Sequence, residues 1–208
     1  MKLQINFNEN MRSIKNALGI EKSFDIIARE LHIAEKKSCI FFIDGFAKDD
    51  IMYYILNTLQ QLKKEDLKKD VIKNLLNKNI AYIEVDTFTD LEQMQLSVLS
   101  GALALIVDGE MEGIIIDART YPVRGPQEPE TEKVTRGAKD SFVETVIFNT
   151  ALIRRRVRDP KLYFEIQQVG ARSKTDVVIG YIDDLVDHGL LDKIRKKILK
   201  GFLFLVHY

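Results

Sequence analysis

Three of the chain's four prolines, Pro122, Pro126 and Pro129, crowd into one short stretch. Proline fixes φ and removes a backbone donor, so neither a helix nor a central strand runs through such a stretch. It divides the 208-residue chain into a longer first part and a shorter second part. We therefore expect an α/β unit over residues 1–120, a connecting segment over 121–137 and a second α/β unit over 138–200, with a tail at 201–208. With 46% hydrophobic residues the chain has enough apolar material to bury a core.

Within the first unit, short apolar runs bounded by Asp, Gly and Asn predict strands at 38–43, 80–85, 102–107 and 113–116. Asp108 and Gly109 suggest a hairpin between the last two. Between 49 and 77, Ile51, Ile55, Leu59, Leu62, Val71 and Leu75 recur at helical spacing, which predicts two amphipathic helices; 89–99 reads as a further one. This alternation predicts mixed sheets covered by helices. In the second unit, Phe142, Val146, Asn149, Ile153 and Val157 fall near one face of a helix over 140–158, which Pro160 ends. Strands at 162–169 and 176–182 and a helix at 190–199 follow.

Lys and Arg total 31 and so do Asp and Glu, so the overall balance gives no reason to expect nucleic acid as a partner. The single cysteine, Cys39, lies in an apolar run and has no second thiol to pair with, as fits a reducing compartment. No apolar run reaches the ~18 residues of a membrane span, and the first residues lack the core of a signal peptide, so the chain itself is not expected to cross a membrane. His32, His188, His207 and Cys39 have no metal-ligand spacing, which argues against a zinc site. The carboxylate pairs Asp49–Asp50 and Asp183–Asp184 read as a helix start and a strand end. No cofactor, metal or catalytic residue is assigned, and no enzymatic activity is expected.

Two basic features need weighing. Residues 170–175 end in Lys174 and Thr175 after a predicted strand, yet they lack the second glycine and the following helix of a phosphate loop. A basic tip between two strands is the better reading. Arg154, Arg155, Arg156 and Arg158 sit in the last turn of a predicted helix, where consecutive side chains point about 100° apart and cations oppose the helix dipole. Salt-bridge partners for Glu128, Glu130 and Glu132 suit them better than a ligand.

Four linked segments carry a resemblance: 121–130 (Tyr-Pro-Val-Arg-Gly-Pro-Gln-Glu-Pro-Glu), 134–144 (Val-Thr-Arg-Gly-Ala-Lys-Asp-Ser-Phe-Val-Glu), 149–156 (Asn-Thr-Ala-Leu-Ile-Arg-Arg-Arg) and 169–175 (Val-Gly-Ala-Arg-Ser-Lys-Thr). In this order they resemble the A-subunit family of bacterial spore germination receptors. Segments 23–30 and 41–50 resemble most the sporulation-stage branch of that family. The resemblance runs over roughly residues 20–198 and implies the N-terminal soluble region of a spore inner-membrane protein, on the cytoplasmic side and ahead of a membrane domain absent here. It implies two α/β subdomains, nutrient-triggered germination with ion release, other germination membrane proteins as partners, and no catalysis. The ending at 199–208 departs from the family pattern, so the second unit is expected to be incomplete and prone to form homo-oligomers.

Two classes of function follow. In the first the chain is an interaction and assembly domain in which Arg124, Glu128, Glu130, Arg136, Arg154 and Arg156 fix the geometry between the units. In the second it senses a small molecule, germinant or metabolite, held between the two lobes. A pocket lined by converging polar groups between the lobes would favour sensing; a dry, salt-bridged seam would favour assembly.

Overall fold

The structure of the chain is a computed structural model, and it describes residues 1–47, 49–80, 84–120 and 141–201. The first unit is organised by β4 (Leu103–Val107) and β5 (Gly113–Ile116), in which every residue is buried. Successive side chains of a strand point to opposite faces. Leu103, Leu105 and Val107 accordingly join one apolar cluster while Ala104 and Ile106 join another. A strand that serves two cores has no polar face, and so appears in the sequence as an unbroken apolar run.

Around this pair the sheet has the order β1-β2-β4-β5-β3, with β1 at Ile26–Ile33, β2 at Lys36–Ile43 and β3 at Val85–Phe88. Ile33 faces Lys36, so Ala34 and Glu35 alone make the first hairpin turn, both at positive φ. Among the described residues every strand pairing is antiparallel, which corrects the expectation of mixed sheets. The reason lies in one hairpin. β3 and β4 run in the same direction, joined by α4 (Leu91–Leu99), but β5 folds back from β4 into the slot between them.

Helices cover both faces. On one, α1 (Phe7–Leu18) and α4 pack Met11, Ile14, Leu18, Met94 and Val98 near Cys39, Phe41 and Ile43. Asn6 caps α1 by accepting from the amides of Asn8 and Glu9, and Gly19 closes it in the left-handed region. On the other face lie α2 (Asp49–Gln60), a 3-10 turn (Lys64–Leu67), α3 (Val71–Asn74) and a π-type turn (Leu75–Asn79). The second expected helix is thus three short pieces, with Asp70 at positive φ before α3, although Leu67, Val71 and Leu75 stay buried. The strand expected at 80–85 is found at Val85–Phe88; residues 81–83 lie outside the described residues.

The second unit has α5 (Val146–Arg156), the antiparallel pair β6 (Leu162–Val169) and β7 (Thr175–Ile182), and α6 (His188–Gly201). The helix expected from residue 140 begins only at Val146 because the Asn149 side chain accepts from the Val143 amide and donates to its carbonyl. Those bonds hold residue 143 in place of a preceding helical turn. Asn10 does the same to Gln4 ahead of α1. The connecting segment expected at 121–137 lies outside the described residues.

Arg195 anchors α6 to the small sheet by donating to both oxygens of Glu165, which also accepts from the Tyr181 hydroxyl. The Arg195 hydrogen bond holds Glu165 below the usual carboxylate range, while burial and the Glu165 carboxylate push Tyr181 up to about 12. A group whose folded pKa is raised contributes stability below its unfolded value, and that contribution is lost as pH rises toward the folded value. Stability measured by urea denaturation is therefore expected to fall between pH 10 and about 12, and to fall less in Tyr181→Phe. An identical alkaline slope in the two proteins would show that Tyr181 has no part in it.

Candidate functional site

Among the described residues the buried charged side chains, Asp25 and Arg154, lie on the seam between the two units together with buried Ser23. From the first unit come the loop between α1 and β1 and the turn after β2; from the second come the end of α5 and the start of β6. Gly19 and Gly45, both at positive φ, leave room for the approach. A Cβ at Gly19 would overlap the Tyr163 ring, and one at Gly45 would sit 3.0 Å from Ile147. The Phe24 amide donates to the Phe164 carbonyl at 3.0 Å, and the Phe164 amide donates to Ser23 Oγ at 2.9 Å. These two bonds tie the free edge of β6 to the first unit.

Arg154 sits at the centre. It is 0% exposed, and its Nε and Nη2 donate to the two carboxylate oxygens of Asp25 at 2.9 and 3.0 Å, Asp25 itself being 1% exposed. Nη2 also reaches Ser23 Oγ at 3.2 Å and Nη1 the Asp159 carbonyl at 3.3 Å. Ser23 Oγ donates to Asp25 at 2.6 Å. The guanidinium lies 5.0 Å from the Phe164 ring centroid. That ring is accommodated by Gly180 across the strand, where a Cβ would come within 2.7 Å of it. The planar fork of arginine suits this two-point grip, which a point-charged lysine could not reproduce. Nearby, burial raises the Asp44 pKa, with the Gly45 amide opposing the shift and Asp49 and Asp25 adding to it.

Of the residues expected to set the geometry between units, Arg124, Glu128, Glu130 and Arg136 lie outside the described residues. Arg154 pairs with Asp25, 129 residues away in sequence; the 128–132 segment, expected to supply a carboxylate to Arg154 or Arg156, lies outside the described residues. Arg156 is exposed, and its Nη1 donates to the Leu152 carbonyl of its own helix. Sequence reading missed Ser23 and Asp25 as the other half of the seam. Residues 170–174 form the turn from β6 to β7, with Gly170 and Lys174 at positive φ and the Lys174 amide donating to the Gly170 carbonyl, and Thr175 opens β7. Among the described residues no group of three His, Cys, Asp or Glu is arranged to hold a metal ion, and no helix is long and apolar enough to cross a membrane.

Comparison with known proteins places this arrangement. The family model described as Bacillus/Clostridium GerA spore germination protein matches residues 12–200. The chain is 36% identical over 190 residues to stage V sporulation protein AF of Bacillus subtilis (strain 168), covering 91% of this chain and 38% of that protein. It is 29% identical over 201 residues to spore germination protein GerLA of Bacillus cereus, covering 95% and 40%. It thus spans about two fifths of the length of these relatives. The crystal structure of the N-terminal domain of the A subunit of the Bacillus megaterium spore germinant receptor GerK3 superposes with a TM-score of 0.74 at 25% identity, over 95% of this chain and 72% of that one.

Proposed function

The chain belongs to the Bacillus/Clostridium GerA spore germination protein family, and from that premise we propose that it is a non-catalytic assembly module. It forms the N-terminal, cytoplasmic-side region of a spore inner-membrane protein and presents a surface of fixed shape to other germination membrane proteins, assisting nutrient-triggered germination and ion release. One observation supports assembly over ligand sensing. The polar groups of the described seam, Ser23, Asp25 and Arg154, bond to one another and to neighbouring backbone rather than pointing into a space that a ligand could fill. A buried, fully bonded pair of this kind fixes one relative placement of the parts it joins, whereas a hinge that closes on a ligand needs a seam that opens.

Affinity capture of the full-length protein from dormant spores tests this reading. Other germination membrane proteins are expected to co-purify with the wild type, and less of them with an Arg154→Met, Asp25→Leu protein present at the same level. Equal recovery from both would contradict a role for the seam in assembly. Saturable binding of a nutrient germinant to the isolated chain would favour sensing.

A further inference from the structure

α2 turns Ile55 and Leu59 into the core of the first unit and leaves Asp50, Tyr53, Tyr54 and Asn57 exposed, Tyr53 at 72% and Tyr54 at 52%. These four stand at i, i+3, i+4 and i+7, so the helix sets them side by side on its outer face, the carboxylate one turn before the two rings. Asp50 Oδ1 accepts the Ile51 amide at 2.9 Å, and among the described residues the carboxylate enters no ion pair and neither tyrosine hydroxyl is hydrogen-bonded. An ordinary solvated helix face mixes acids with Lys or Arg at i, i+4, but α2 contains neither cation. The helix dipole accounts for an acid in the first turn; it does not account for two adjacent tyrosines in water. Tyrosine is enriched, and lysine depleted, where proteins meet.

We infer that this face receives an arginine-bearing segment of another protein. Charge selects that occupant: the face offers exposed Asp49 and Asp50 and no cation, so it repels an acidic segment and suits a basic one. The aromatic pair then favours arginine over lysine. A guanidinium laid on a tyrosine ring keeps its N–H fork free to reach a carboxylate one turn away, whereas an ammonium is more strongly hydrated and bonds as a point charge. Tyr53 and Tyr54 each have only two side-chain torsions to fix, and they stand on a helix whose other face is held by the core, so little order has to be created on binding.

The inference rests on the assembly reading and names one of its contact surfaces. Its test is photo-cross-linking in spores of the full-length protein with Asn57 replaced by p-benzoylphenylalanine, which leaves Asp50, Tyr53 and Tyr54 intact. The cross-linked peptide, sequenced by mass spectrometry, is expected to come from another protein and to contain arginine. Asp50→Lys should lower the yield about tenfold, as should Tyr53→Ala with Tyr54→Ala, while Tyr53→Phe with Tyr54→Phe should keep most of it because the rings remain. All three positions are exposed, and unchanged far-UV circular dichroism of the variants will confirm folding. A yield indifferent to Asp50→Lys, a mapped peptide without arginine, or a peptide from a second copy of the chain would each overturn the proposal. Recovery of other germination membrane proteins by affinity capture, with no cross-link at position 57, would overturn it too and leave the assembly reading standing.

Discussion

Replacing Arg154 by alanine is expected to destabilise the chain by about 3–5 kcal/mol, because it leaves the Asp25 carboxylate buried without its counter-ion. Asp25→Ala should cost about as much for the mirror-image reason. The double variant Arg154→Ala, Asp25→Ala should fall well short of the sum, since the two residues share one interaction. Guanidinium chloride denaturation of the four proteins closes the cycle. Arg154→Met with Asp25→Leu should come within about 2 kcal/mol of the wild type, because apolar replacements of similar volume relieve the desolvation penalty that the charges carry. If Arg154→Ala and Asp25→Ala each shift stability by less than about 0.5 kcal/mol, the pair is solvated in solution and the seam is not as dry as the structure has it.

Phe164→Ala is expected to cost about 3–5 kcal/mol as well, through the transfer and cavity terms of removing a buried ring. The loss should be concentrated in the second unit. The ring touches the Arg154 guanidinium and lies over Gly180, so its removal loosens both the grip on the first unit and the core of the small sheet. Native-state hydrogen exchange should therefore show β6 and β7 amides losing more protection than those of β4, which belong to a core built on both faces of the larger sheet. Equal loss in the two sheets would mean that the units unfold only together.

The larger sheet was legible where the pleat leaves a plain trace. Strands 102–107 and 113–116 are apolar without a break because both faces are covered, and the helical spacing of Ile51, Ile55 and Leu59 marks α2. The antiparallel arrangement was not legible, since strand order depends on which slot the β4–β5 hairpin occupies and no local propensity encodes that. The start of α5 was misplaced for a different reason. Asn149 falls on the apolar stripe of the pattern, and only the fold reveals that its amide is committed to residue 143. At the seam, Arg154 was legible as a residue in want of a carboxylate, but its partner was sought nearby in sequence. Asp25 stands before β1 in the 23–30 segment that carries part of the resemblance, and the signal that could have marked it as buried is the apolar pair Ile26 and Ile27 directly after it. A carboxylate carried into a core by its neighbours must find a cation there.

The placement of one unit on the other can be measured directly with a spin label on each, at Tyr53→Cys in α2 and Lys196→Cys in α6, both exposed positions. Cys39 is buried and its thiol is pushed up to about 12, so it stays unlabelled. Pulsed dipolar spectroscopy of the otherwise wild-type chain should give a single narrow distance distribution. The same labels in the Arg154→Met, Asp25→Leu background, folded but without the two-point grip, should give a broad or shifted one. An unchanged narrow distribution there would contradict the account, because the placement of the units would then owe nothing to the ion pair between them.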